Sequence, residues 1–179
     1  PILNDDSYEY PDEQFVMRIW NITFDHTPNI PTLQVGQYAN TTVKIIDDGD
    51  AGTFAFKSNQ YYKREGNGKD VTQTLTVTRT NKKSGNFTVA YYSKNGTARE
   101  GEDFIASEGI MTFKDQQTFE TMTVVVRDDN LFEYPNEYLT MHITDVRYNG
   151  ESRNADYRAM VGGLSRPPYI DLNGPDASN

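Results

Sequence analysis

Apolar and polar side chains alternate along much of this chain. Val71, Leu75 and Val77 are separated by Thr72, Thr74, Thr76 and Thr78, and Met122, Val124 and Val126 are interleaved with Thr121, Thr123 and Val125. A period of two marks a half-buried strand, because successive side chains point to opposite faces of a sheet. Val and Thr suit that pleated surface. The runs Phe54–Phe56, Phe87–Tyr91, Ile110–Phe113 and Leu139–Ile143 follow the same rule. Gly66-Asn67-Gly68 and Ser84-Gly85 punctuate them, and Asn95-Gly96 carries the signal of a hairpin turn. No stretch combines a 3.6-residue period with helix caps. The pattern predicts an all-β protein, a sandwich of antiparallel sheets.

A longer period overlies the short one. Residues 5–19, Asp5 to Ile19, lie over residues 129–143, Asp129 to Ile143, at a constant offset of 124, with seven of fifteen positions identical. Asp5/Asp129, Glu9/Glu133, Tyr10/Tyr134, Pro11/Pro135 and Glu13/Glu137 are among them. Carried on without a gap, the offset sets Ile46-Asp47 over Ile170-Asp171. Repetition of this kind signals a modular array. Residues 1–51 are expected to be the C-terminal half of one repeat with its acidic linker, and 52–179 a complete second repeat with its own linker. A half-sandwich leaves the apolar face of Phe15, Met17 and Ile19 bare. Upstream sequence or a neighbouring identical subunit, adding strands in a homopolymer or fibre, would then cover it.

Charge narrows the partners. The formal net charge of −9 and a pI near 4.7 disfavour nucleic acid, since phosphate binding needs a basic patch. Cations are the natural partners. No cysteine is present, which removes thiolate chemistry, and two histidines, His26 and His142, are little material for a zinc or Ser-His site. No apolar run approaches the roughly 18 residues of a membrane span, so membrane insertion of this segment is not expected. Asn21, Asn40, Asn86 and Asn95 each open an N-x-Ser/Thr sequon. They predict an N-glycosylated protein outside the cell or on its surface.

The residues resemble the Calx-β domain family. The resemblance runs through Gly52-Thr53-Phe54-Ala55-Phe56, Val77-Thr78-Arg79, Asn95-Gly96-Thr97-Ala98 with Gly101 and Asp103-Phe104, Gly109 to Phe113, and Val124 to Asp129 with Glu133 and Glu137. Ile45-Ile46-Asp47-Asp48-Gly49-Asp50 is similar to the family's acidic inter-repeat linker. The resemblance implies an immunoglobulin-like antiparallel sandwich of about seven strands, repeated in tandem. It also implies Ca²⁺ at one end, with ligand positions falling on Glu65, Asp103, Asp128, Asp129, the Leu131 carbonyl and Glu133. Closing linker carboxylates fall near Asp171 and Asp176. A second, partial site in the first repeat would use Asp5, Glu9, Asp47, Asp48 and Asp50. Two departures stand out: Asn130 occupies a position where three consecutive Asp are common, and Tyr134-Pro135-Asn136 lengthens the Glu133-to-Glu137 spacing by one residue.

Ca²⁺ takes six to eight oxygens at about 2.3–2.6 Å, so carboxylates from several loops suit it, and extracellular modules bind it at around 10⁻⁴–10⁻³ M. The plain alternative is that acidic residues at strand ends are solvated loop residues. Glu133 and Glu137 could imitate a glycosidase pair, yet no insertion would form a cleft, and no enzyme is expected. The leading expectation is therefore a structural or adhesive extracellular repeat stiffened by Ca²⁺. A calcium-sensing regulatory domain of a transporter-like protein is the alternative. A carbohydrate-binding module using Tyr10-Pro11 and Tyr134-Pro135 as platforms is a third.

Overall fold

The computed structural model describes residues 12–20, 35–46, 49–129, 135–153 and 169–172. Every regular element among them is a strand. The chain divides into two compact units, one of residues 8–49 and one of residues 50–179 together with 1–7.

In the smaller unit, β1 (Gln14–Arg18) pairs antiparallel with β2 (Asn40–Lys44), Phe15 standing opposite Val43. The ladder is prolonged by Ile45 N–H to Glu13 O (2.7 Å) and Ile19 N–H to Ala39 O (2.8 Å). Lys44 forms an ion pair with Asp12. Every residue of β1 is exposed, and Met17 and Ile19 are 57% and 58% accessible.

The larger unit is a two-sheet sandwich. One sheet has the order β3 (Thr53–Phe56), β5 (Val71–Thr80), β9 (Phe119–Val126), β7 (Phe104–Ile105). The other runs β4 (Gln60–Lys63), β12 (Tyr169–Leu172), β10 (Tyr138–Tyr148), β6 (Phe87–Asn95), β8 (Glu108–Phe113), with β11 (Glu151–Ser152) added to β10. The alternating sequence is the cause of this arrangement. Leu75, Val77, Val124 and Val126 from the first sheet, and Val89, Phe113, Leu139 and Met141 from the second, are fully buried between them. The Thr-rich faces look outward. Phe54 of β3 locks the sheets together, with its ring 5.0 Å from Phe113 edge-on and 5.6 Å from Phe87. Such aromatic pairs add about 0.5–1.5 kcal/mol beyond their burial.

The sandwich of antiparallel sheets is as expected, with two differences in detail. The pairing is not purely antiparallel: β4 runs parallel to β12, Tyr61 opposite Ile170. After β3 the chain bends at Ser58, whose Oγ donates to Gln60 O (2.7 Å), and crosses to the other sheet. Asn95-Gly96 does not close a hairpin. Gly96 instead lies against Tyr138, where a Cβ would come 2.3 Å from the Tyr138 carbonyl oxygen, and the chain leaves for β7 in the opposite sheet. The two-residue hairpin is at Asn149-Gly150, φ 48° and 85°, joining β10 to β11. Both central residues have the positive φ that a type I′ turn requires.

The gapless repeat offset also gives way. Leu139 faces Ile170 in the larger unit and Phe15 faces Val43 in the smaller. The offset is thus 124 on the first strand of each pair and 127 on the second. Ile170-Asp171-Leu172 therefore matches Val43-Lys44-Ile45, and the three-residue difference is absorbed between the strands. Burial agrees: Ile170 and Leu172 are buried, Val43 and Ile45 half-buried, and Lys44 exposed between them.

Candidate functional site

The strand registers bring several acidic loops to one end of the larger unit. Val126, the last residue of β9, stands opposite both Val71, the first of β5, and Phe104, the first of β7. Asp70, Asp103 and Asp128 sit just beyond those three positions and so share that end. Phe104 is fully buried and anchors the loop before it. Asp103, only 8% exposed, accepts the Arg99 N–H at Oδ2 (2.7 Å) and returns its own N–H to Arg99 O (2.9 Å). Its carbonyl accepts the Arg127 N–H at 2.9 Å, tying this loop to the end of β9.

The β4–β5 loop is tied to the same end by Asp128. The Asp128 carboxylate accepts the Gly68 N–H (2.9 Å), and the Asp128 N–H donates to Asp70 Oδ1 (3.2 Å). Asp70 is a member of this end that the sequence reading missed; its position directly before the Val71 run was the available signal. Gly66 makes the fold of this loop feasible, because a Cβ there would come 1.8 Å from the Lys69 carbonyl oxygen. Glu65, in the same loop, and Asp129 are half-buried and engaged in interactions of their own.

The sequence-derived ligand set is thus partly gathered. Glu65, Asp103, Asp128 and Asp129 belong to loops at this end, while Leu131, Glu133 and Asp176 lie outside the described residues. Among the described residues, no three Asp, Glu or His side chains converge closely enough to hold a metal ion.

Asp171 is not a linker residue. It lies in β12 with β10 on one side and β4 on the other, opposite Tyr138 and Tyr62. Burial pushes its carboxyl above the ordinary range, and a hydrogen bond from Asn136 offsets part of that rise. Its Oδ1 is buried without a hydrogen-bond partner. By the repeat correspondence, Asn136 and Asp171 occupy the places of Asp12 and Lys44 in the smaller unit. One repeat fills this cross-strand position with an ion pair, the other with an amide and a carboxylate.

Asp50, assigned above to the partial site of the first repeat, belongs to the larger unit. It is 2% exposed, forms an ion pair with Lys82, and accepts the Ser84 N–H at its carbonyl (2.9 Å). Its partners lie at the far end of β5, remote from the acidic loops. Asp5, Glu9, Asp47 and Asp48 lie outside the described residues.

The sequons have a structural use. Asn86 Oδ1 accepts the Asp115 N–H (2.9 Å) and Asn95 Oδ1 the Glu100 N–H (3.1 Å), so both asparagines fasten loops. Asn40 is exposed at the start of β2, and Asn21 lies outside the described residues, as do His26, Tyr10, Pro11 and Tyr134. His142 faces outward from β10, stacked on Tyr92 with centroids 5.0 Å apart. Burial and the neighbouring Lys94 charge lower its pKa.

Known proteins match this arrangement. The family model of the Calx-beta domain matches residues 1–49 and 47–161. The sodium/calcium exchanger Calx of Drosophila melanogaster is 25% identical over 171 residues, covering 96% of this chain and 16% of the exchanger. Sodium/calcium exchanger 1 of Bos taurus is 32% identical over 143 residues, covering 74% of this chain and 14% of that protein. The chain thus spans a small part of the exchangers it matches. Among solved structures, the apo-form Calx CBD1 domain aligns with a TM-score of 0.54 at 21% identity, over 69% of this chain and 97% of that one. The calcium binding domain CBD12 of CALX1.1 aligns with a TM-score of 0.51 at 21% identity, over 96% of this chain and 70% of that one.

These relatives overturn the extracellular or cell-surface placement expected from the sequons: exchanger homologues point to an intracellular position for the matched segment. A three-residue sequon arises readily wherever Asn and Thr serve turns and strand edges, as Asn86 and Asn95 do. Nor do transporters support the adhesive, fibre-forming reading. With the family model covering both repeats and a two-sheet sandwich beneath it, the chain belongs to the Calx-beta domain family.

Proposed function

We propose that this chain is a calcium-sensing regulatory module of a sodium/calcium exchanger-like protein, acting by binding and not by catalysis. The observation that carries the reading is the convergence of the Glu65–Asp70, Asp103 and Asp128–Asp129 loops on one end of the sandwich, in a chain whose relatives are sodium/calcium exchangers. The donors at this end are carboxylates and backbone carbonyls, the hard oxygen set that suits Ca²⁺. Asp103 and Asp128, with Glu65 and Asp129, would hold the ion, joined by the Leu131 carbonyl and Glu133, which follow β9 in the sequence and lie outside the described residues. Carboxylates drawn together without a cation repel. Bound Ca²⁺ supplies the positive charge that lets these loops close. Asp103 is the fixed point, because the Arg99 and Arg127 hydrogen bonds hold its backbone and carboxylate in place.

The same proposal keeps residues 1–51 as a C-terminal half-repeat and 52–179 as a whole one. It is supported by the equivalent cross-strand positions of Asp12–Lys44 and Asn136–Asp171. The test of calcium sensing is isothermal calorimetry on the 179-residue chain and an Asp128→Ala/Asp129→Ala variant. Saturable heat in the parent chain and none in the variant is the expected result. Equal heats in both would remove the site.

A further inference from the structure

At the end of the larger unit remote from the acidic loops, a cavity of about 220 Å³ opens beside the β5–β6 loop, lined by Asp50, Asn81, Lys82, Lys83, Ser84 and Gln116. It is far larger than the roughly 10–15 Å³ that accommodates one water. The far end of β5 is nine residues from its start, about 30 Å at the rise of a strand, so this cavity is separate from the proposed calcium site.

Three observations make it more than a surface dent. Asp50 is nearly fully buried in its wall, and its carboxylate is compensated there by the Lys82 ion pair. Two of the three non-glycine residues with positive φ among the described residues, Asn81 (φ 67°) and Gln116 (φ 63°), line this one cavity. Such conformations cost energy and gather where surrounding structure enforces them. Directly behind the lining loop lies Arg79, 2% exposed, whose guanidinium donates to the carbonyls of Ala51 (2.7 Å), Gly85 (2.9 Å), Lys114 (3.4 Å) and Ser84. All four acceptors are neutral. The region therefore holds three cations, Arg79, Lys82 and Lys83, against the two carboxylates Asp50 and Asp115, in a chain whose net charge is −9.

We propose that this cavity is a binding site for a small oxyanion, a phosphate or a carboxylate, held by the Lys83 ammonium with Lys82 shared between the ligand and Asp50. The Lys82 side chain is 41% exposed while that of Asp50 is 3% exposed, so the lysine can turn toward a ligand and the carboxylate stays fixed. A carboxylate ligand has two sources, a free acid or an acidic side chain of a protein partner. The chemistry of recognition is the same.

The test is amide NMR of the full 179-residue chain without calcium, titrated with inorganic phosphate and, separately, with acetate at constant ionic strength against a chloride reference. Saturable shifts at Asn81–Ser84 and Gln116 with either ligand are expected. Saturation with phosphate identifies a free oxyanion as sufficient; saturation with acetate alone identifies the carboxylate form, and a Glu-containing peptide binding at least tenfold more tightly than acetate assigns it to a partner side chain. Lys83→Gln should weaken binding at least tenfold with the rest of the spectrum unchanged, and Asp50→Asn should strengthen it by releasing Lys82. Shifts that track chloride, that fail to saturate with both ligands, or that survive Lys83→Gln unaltered would overturn the proposal. None of these outcomes depends on whether the opposite end binds calcium.

Discussion

Arg79, a buried cation, and Asp171, a half-buried carboxylate with one buried oxygen, make opposite predictions. Arg79 is surrounded by neutral carbonyls and by the rings of Phe54 and Phe87, with its guanidinium carbon 5.3 and 5.0 Å from their centroids. Desolvation lowers its pKa to about 10, and the Asp115 charge opposes that shift. It remains protonated at neutral pH. Arg79→Met leaves several carbonyls without donors, at about 1–3 kcal/mol for each group left buried. A loss of roughly 3 kcal/mol or more is expected in urea unfolding, and Arg79→Lys should not restore it because an ammonium lacks the planar fork. Circular dichroism is the suitable readout, since the single tryptophan, Trp20, lies in the other unit. Asp171 is the reverse case. Its raised pKa means that folding favours the protonated form, so its stabilising contribution is present below the ordinary value of 3.8 and is lost as pH rises through the folded value. At neutral pH the carboxylate is a cost. Asp171→Asn should raise thermal stability at pH 7, by up to about 1 kcal/mol given the cost of an unpaired buried acceptor. The gain should disappear at acid pH; a gain that persists there would contradict the assignment.

At the scale of elements, the β4–β5 loop connects fold to function. Gly66 lets the loop pass against the Lys69 carbonyl, and the Gly68-to-Asp128 and Asp128-to-Asp70 hydrogen bonds hold it to the end of β9. Gly66→Ala has no room for its methyl. It should displace the loop and weaken calcium binding by roughly tenfold, about 1.4 kcal/mol, with the buried core intact by near-ultraviolet circular dichroism. Unchanged affinity would separate this loop from the site. Strand identity was legible in the sequence because a period of two states which side chains are buried, and six runs from Phe54–Phe56 to Leu139–Ile143 lie within strands. Partner identity was not. Whether β4 joins β3's sheet or crosses to β12 depends on a bend at Ser58 and on a strand more than one hundred residues later, and periodicity carries neither.

For the whole molecule, the two units differ in what covers them. Leu139 and Met141 are fully buried in the larger unit, while their counterparts Phe15 and Met17 in the smaller are 41% and 57% exposed. An exposed apolar face of that kind should bind a hydrophobic dye. Met17→Lys/Ile19→Lys should reduce dye fluorescence several-fold without moving the melting temperature of the larger unit; unaltered fluorescence would place the dye elsewhere. Calcium should act on the larger unit. At a hundredfold excess over its dissociation constant, a ligand specific to the folded state adds about 2.7 kcal/mol, which chelator should remove in a thermal melt.

The sequence by itself determined the strand class, the alternation that builds the core, the repeat, and the family, because each rests on local spacing that needs no third dimension. It also placed acidic residues immediately beside strand ends. The tertiary structure decided which strands pair, that the repeat shifts from an offset of 124 to 127, that Asp171 is an interior strand residue and Asp50 the partner of Lys82, and that Asp70 joins Asp128. Those outcomes depend on contacts between residues such as Asp70 and Asp128, or Arg79 and Ala51, which are distant along the chain and close only when the sheets are stacked.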